Sequence, residues 1–490
     1  MEKIENKFII INNFYMLFFL FSLFIINEVN CYLEFPIEYL SNENYKFLNN
    51  NFDANTKEKE EFMKQIYYKK LITKFEIGTP SKTQTLILNP DSHQYYFDSL
   101  NPPEKIQEKC KISDYLHFGE KEFFNETSSS SYIVEECKTL KHEYYDLDEI
   151  CYSKEKIKFN IKGNSTIKEF PIKIIKNHDE MVPGLIGLAL NDTLAYEERS
   201  FLSELKLNNL INDYYWFIDF DKFDPFEQKI KGKFIVGDLP HNVFPEKYLK
   251  DEYYQTTSYK GTSFWTLNMK KVFVENKTEE YHLDSNQAAL FYDFYPIIGT
   301  KEFWGNIKDK FMDKLVEEKK CFTGTFSQNI YSFDDLLFYY CDKSAQNTLY
   351  ENLPSINFVS GDLKYTFQFM KEELFYTKGD YIYFMILFCP NQFNNWIFGQ
   401  IFTSKYHFVF HTDQRQIGFY HKVNTIDETN SSLFNINDIK NSWISILITA
   451  FVFTILGFFL GTIFGVKFCG KRKRKANELI DDNYEYNSKE

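Results

Sequence analysis

The chain has 490 residues, room for two or three ordinary domains or for one large two-lobed domain with appendages. Its 53 Phe and 35 Tyr against only 19 Gly and 13 Pro favour strands over helices and exclude a disordered chain. The formal charge of −13 is spread along the sequence and the one dense basic run, residues 471–475, lies near the C-terminus, which argues against nucleic-acid binding by the main body.

In chain order, residues 8–26 are apolar, follow Lys3 and Lys7, and end near Val29-Asn30-Cys31, a spacing suited to signal-peptidase cleavage. Residues 1–31 therefore read as a signal peptide. Residues 32–67 are polar and charged, show no strand alternation, and read as a leader or propeptide-like segment. From residue 68 to 422, short runs rich in Ile, Phe, Tyr and Val, such as 85–88, 234–236 and 406–410, are separated by turn residues, an all-β pattern. Residues 423–442 read as a stalk. Residues 443–466 carry no charge over 24 positions, enough to cross a hydrocarbon core of about 30 Å, and predict one C-terminal transmembrane helix.

Lys467 and the basic run 471–475 keep the tail, residues 467–490, in the cytoplasm by the positive-inside rule. The expected topology is single-pass type I in a secretory-pathway or cell-surface membrane, with the bulk of the chain lumenal or extracellular. Acceptor sequons at Asn125, Asn164, Asn191, Asn276 and Asn430 all fall on that side. So do Cys110, Cys137, Cys151, Cys321, Cys341 and Cys389, an even set suited to disulfides. These cysteines lack C-x-x-C spacing and the nine histidines show no H-E-x-x-H, so no metal and no cofactor is expected. There is no G-x-S-x-G and no phosphate-binding glycine loop.

Residues 70–98 read KLITKFEIGTPSKTQTLILNPDSHQYYFD. This resembles the opening of the pepsin-like aspartic proteases, in which a hairpin with I-G-T-P leads into a strand and a D-[TS]-G-[ST] loop. Ile77-Gly78-Thr79-Pro80 matches position by position. Val182-Pro183-Gly184-Leu185-Ile186-Gly187-Leu188 is similar to the family's D-G-I-L-G-L. Residues 232–238, GKFIVGD, are similar to G-x-L-x-F-G-G, and Trp396-Ile397-Phe398-Gly399-Gln400-Ile401-Phe402 resembles W-I-L-G-D-x-F. Tyr406, Phe408, Val409, Phe410 and Ile417-Gly418-Phe419 are similar to the closing strands. The resemblance implies a bilobal pepsin-like β fold, with an N-terminal lobe over 68–230, a C-terminal lobe over 231–422, and a cleft between them.

In that family each lobe supplies one Asp to a dyad that shares a proton and activates a water. After Thr85-Leu86-Ile87-Leu88 stand Asn89, Pro90, Asp91 and Ser92, so the first Asp position holds Asn89. Asn89 is neutral and cannot take a proton from water, and Pro90 removes a hydroxyl and a backbone donor. Asp91 would restore a charge roughly 6.6 Å further along the strand, too far from the water. In the second lobe, aligning the apolar exit Ile297-Ile298-Gly299-Thr300 puts Tyr292 at the Asp position. A shift of one would put Asp293 there, leaving Phe294 and Tyr295 where small residues are needed and reversing the strand's face.

The flap, expected between Cys151 and Ile175, lacks the Y-G-[ST]-G spacing; its candidates are Tyr152 and Gly163-Asn164-Ser165. Residues 125–137, NETSSSSYIVEEC, resemble the Ser-rich stretch before a cysteine in members with disulfide-rich first lobes. Cys341 precedes Leu353-Pro354-Ser355-Ile356-Asn357-Phe358, similar to L-P-x-I-x-F, and the resemblance pairs it with Cys389. The implied function is a non-catalytic homologue that binds a protein or peptide in its interlobe cleft or on its lobe surfaces. The alternatives are an active aspartic endopeptidase using Asp293 with Asp91, and a purely structural surface glycoprotein.

Overall fold

A computed structural model describes residues 31–421 apart from 40–53, 68–69, 91, 93–94, 99–123, 141–147, 162–163, 177–183, 191–199, 223–230, 261–263, 275–279, 283–286, 293, 327–334, 364 and 390–394. The apolar segment 8–26, the stalk, residues 443–466 and the tail lie outside the described residues, among which no helix is long and apolar enough to cross a membrane.

The chain opens with β1 (Leu33–Tyr39), helix α1 (Ala54–Tyr67), β2 (Leu71–Ile77), β3 (Lys82–Asn89), β4 (Tyr95–Asp98), β5 (Ile133–Leu140), β6 (Asp148–Ile161) and β7 (Asn164–Lys176). Next come β8 (Gly184–Gly187), β9 (Tyr215–Lys222), β10 (Lys231–Val236), β11 (Tyr253–Thr257), β12 (Thr266–Val274), β13 (Glu280–His282), β14 (Gln287–Leu290) and β15 (Ile297–Gly299). They are followed by β16 (Cys321–Phe326), β17 (Leu336–Asp342), β18 (Ser355–Ser360), β19 (Thr366–Met370), β20 (Phe375–Lys378), β21 (Tyr381–Phe384) and β22 (Ile386–Phe388). The last are β23 (Trp396–Phe398), β24 (Val409–His411) and β25 (Gln416–Tyr420).

These strands form two sheets. The first runs β11-β25-β24-β9-β10-β1-β2-β3-β8-β4-β7-β6-β5, and the second β19-β18-β12-β14-β23-β15-β22-β17-β21-β20 with β13 on β12 and β16 on β17. The expected boundary at residue 230 does not divide them: β10 and β11 extend the first sheet, and the closing strands return to it, β24 on β9 and β25 on β11. A cut along the sequence misses this because the pairing joins residues about 190 positions apart (Trp216 with Phe410).

The expectation that residues 32–67 show no strand alternation needs correction. β1 alternates buried and outward residues, burying Leu33, Phe35, Ile37 and Tyr39, and it pairs with β10 on one side and β2 on the other. Phe35 packs on Phe75 at 4.6 Å and stacks on Phe234 at 5.9 Å. The alternation was present in LEFPIEY, but the polar stretch after it masked it. α1 buries Phe62, Met63, Ile66 and Tyr67. Phe62 lies 4.5 Å from Tyr383 and 5.8 Å from Tyr376, so the helix docks on the second sheet. The Lys59 and Lys378 ammonium groups sit over the Tyr381 and Phe62 rings at 4.5 and 4.0 Å. Burial of each such apolar side chain is worth about 1.5–3 kcal/mol.

Among the described residues the disulfides are Cys137–Cys151 and Cys321–Cys341, which corrects the pairing of Cys341 with Cys389. Cys321 faces Cys341 directly across β16 and β17. Cys389 follows Phe388, whose partner in β17 is Leu337, so at about 3.3 Å per residue the strand keeps it at least roughly 13 Å from Cys341. It is buried outside both bridges. Cys110 lies outside the described residues.

Candidate functional site

The first loop follows β3, whose Leu86, Ile87 and Leu88 are all buried, as befits a strand with neighbours on both sides. Gly78, at φ +92°, turns the chain into β3, and a Cβ there would press on Ser129 Oγ at 3.1 Å. Asn89 ends β3 opposite Gly187 in the parallel ladder with β8. Its carbonyl accepts from Leu188 N–H at 2.8 Å, and Ser92 O accepts from Ala189 N–H at 2.9 Å. Trp265, from the second half of the chain, donates its indole N–H to Leu188 O at 2.8 Å.

The second loop repeats this arrangement with one displacement from expectation. Leu290 pairs with Phe398, and Phe291 N–H donates to Phe398 O at 2.9 Å, so Phe291 stands opposite Gly399 as Asn89 stands opposite Gly187. The exits agree: six positions on (89 to 95, 291 to 297), Tyr95 pairs with Ile186 and Ile297 with Phe398. The ladder therefore places Phe291, not Tyr292, at the position equivalent to Asn89. Sequence reasoning slipped by one because aromatic side chains at 291, 292, 294 and 295 give no chemical anchor for the register.

What fills the tip is aromatic. Phe291, Tyr292, Phe294 and Tyr295 are all buried. Phe291 stacks on Phe294 at 5.5 Å, the half-exposed Phe264 leans on Phe291 at 5.6 Å, and Tyr67 of α1 stacks on Phe294 at 5.3 Å. Tyr292 turns under the loop, edge-on to Trp216 and Phe410 of the first sheet at 5.9 and 6.0 Å. Burial pushes its phenol far above the ordinary tyrosine range, opposed by a hydrogen bond with Thr403, so it stays neutral at any working pH. Gly399 is required here, because a Cβ would meet Pro296 O at 2.3 Å and Tyr295 O at 2.7 Å.

Gln400 stands where the W-I-L-G-D-x-F resemblance has an acid. It is fully buried, donates from Nε2 to Tyr292 O at 2.6 Å, and accepts from Tyr39 OH at 3.0 Å. A neutral amide thus ties the expected leader to the second loop. The buried carboxylates among the described residues lie elsewhere. Asp219 is held by Lys247 Nζ at 2.6 Å and by the Tyr248 hydroxyl, Glu155 accepts from Ser131 Oγ, and Glu204 lies in the helix Phe201–Leu207.

The fallback residues Asp91 and Asp293 lie outside the described residues, as do Asn191, Asn276 and Asn430. Asn125 is half-buried and its Oδ1 accepts from Thr127 Oγ1 at 2.8 Å, while Asn164 is exposed at the start of β7. The hairpin in the expected flap interval exists as β6 and β7, but its turn end is tied into the first sheet by pairing of Ile161 with Leu33. Tyr152, the flap candidate, lies far from that turn, paired with Lys173 near the other end of the hairpin. Among the described residues no group of three His, Cys, Asp or Glu could hold a metal.

Two β lobes, each offering a loop tip beside an Ile-Gly or Phe-Gly strand, define the pepsin-like architecture. The sequence profile of the eukaryotic aspartyl protease family matches residues 70–422, more than half of the chain, and the chain belongs to that family. A comparison with curated proteins returns no match.

Proposed function

We propose that the chain is a catalytically inactive member of the pepsin-like family, anchored as a type I membrane glycoprotein, that works by binding protein or peptide on its lobe surfaces. The observation that carries this reading is the pair of loop tips: Asn89 in one, and Phe291 with Tyr292 in the other. Neither side chain pair can share a proton or hold a water as base, which peptide hydrolysis by this family's chemistry requires. The stacking of Tyr67 on Phe294 further supports surface binding over insertion at the loop tip, because that spot is occupied by the chain itself.

The burial of Tyr292, Phe294 and Tyr295 also favours a second reading, in which the cleft is vestigial and the protein is a structural surface glycoprotein. The two separate in a pull-down: lumenal protein captured on the purified ectodomain, and lost on charge reversal of a lobe surface, supports binding, while no saturable partner supports the structural reading. Acid-pH cleavage of peptides, blocked by a pepstatin-type inhibitor and abolished in Asp293→Ala, would reject both.

A further inference from the structure

Both disulfides join residues that face each other directly across an antiparallel ladder, Cys137 with Cys151 between β5 and β6 and Cys321 with Cys341 between β16 and β17. Their surroundings differ. Cys321 and Cys341 are both buried, and Cys341 is flanked on its other side by Ile382 of β21. β5 instead ends the first sheet, with no strand beyond it among the described residues, and every residue from 133 to 138 is exposed. Cys137 is thus open to an approaching protein, while its partner Cys151 lies in the core. The β5–β6 ladder is also interrupted by a register shift between Val134 and Glu136, close to the bridge.

Thiol–disulfide exchange needs access to one sulfur and a partner able to leave as thiolate. We propose that Cys137–Cys151 is a reducible bridge that serves a dithiol oxidoreductase, a protein carrying paired thiols in the same compartment, while Cys321–Cys341 is a purely structural one. The reductant's thiolate attacks Cys137 Sγ, forming a mixed disulfide and breaking the bond to Cys151. The displaced electron pair leaves on Cys151 Sγ, which takes a proton. The reductant's second thiol then attacks its own sulfur in the mixed disulfide, releasing Cys137 as thiolate. The oxidoreductase ends as its disulfide, oxidised by two electrons, and the chain gains two thiols. Reduction removes the covalent tie and leaves β5 held to β6 by the ladder and by surface contacts such as the Lys154–Glu135 ion pair, which loosens the edge of the sheet. This inference does not depend on whether the cleft binds a ligand.

The test uses the full chain in detergent under non-denaturing conditions, titrated with dithiothreitol, quenched with an alkylating reagent and mapped by peptide mass. The expected result is alkylation of Cys137 and Cys151 about tenfold or more faster than of Cys321 and Cys341, with near-ultraviolet circular dichroism retained. Simultaneous reduction of both bridges, prior reduction of Cys321–Cys341, or resistance of Cys137–Cys151 until the fold melts would overturn it. Hydrogen exchange gives a second readout: β5 amides should exchange faster in the reduced chain and β16 amides should not. Unchanged exchange in β5 would reject the loosening.

Discussion

At Asn89 a single atom separates this chain from a carboxylate, yet restoring it should restore nothing. Asn89→Asp supplies one acid opposite a loop whose equivalent position is Phe291, and a lone carboxylate cannot share a proton. The variant is expected to show no pepstatin-sensitive cleavage of peptides at acid pH. Tyr292 is a structural residue by the same geometry. Tyr292→Phe loses one hydrogen bond with Thr403 and should cost about 1 kcal/mol, whereas Tyr292→Ala empties a site against Trp216 and Phe410 and should cost about 3–5 kcal/mol in urea unfolding. His407 gives a pH signature. Desolvation, then the Lys247 charge, hold its imidazole at about 4, with Asp219 opposing. The unfolded chain, with an ordinary histidine, therefore binds more protons between about pH 6.5 and 4, so stability is lost as pH falls through that window, by no more than about 3 kcal/mol. His407→Asn, which suits the residue's positive φ of 44°, should flatten that slope. An unchanged slope would reject the assignment. The two loop positions differed in legibility for a physical reason: Asn89 follows an I-G-T-P hairpin and a buried strand of fixed length, while the second loop sets aromatics on both sides of Asp293, and their order says nothing about which one stands at the tip.

The elements before residue 68 carry more of the fold than their composition suggests. β1 lies between β10 and β2, so its loss would split the first sheet, and Tyr39→Phe alone should cost about 1 kcal/mol by removing the hydrogen bond to Gln400 Oε1. Phe62→Ala in α1 removes a ring packed on Tyr383 and Tyr376 and should cost about 3–5 kcal/mol. Neutral effects of both would mean that residues 33–67 are a dispensable leader. The strand was readable in principle, from the strict alternation of Leu33, Phe35, Ile37 and Tyr39. The helix was not, because its buried face is defined by tyrosines some 310–320 residues away. The same limit explains the disulfides: Cys321 and Cys341 become partners only once β16 and β17 are in register, and no spacing rule gives that register.

For the whole molecule, the order of family landmarks along residues 70–422 made the β architecture legible, while the return of β24 and β25 to the first sheet was visible only in the pairing. The proposed topology predicts that the chain resists extraction from membranes by alkaline carbonate, and that glycosidase treatment lowers its apparent mass through some or all of the five sequons. A chain released by carbonate and indifferent to glycosidase would reject it. The proposed absence of a catalytic dyad is tested by a peptide-library cleavage assay of the purified full-length protein from pH 3 to 7, with and without a pepstatin-type inhibitor. No inhibitor-sensitive cleavage is expected at any pH. Cleavage that the inhibitor blocks and that Asp293→Ala removes would contradict it.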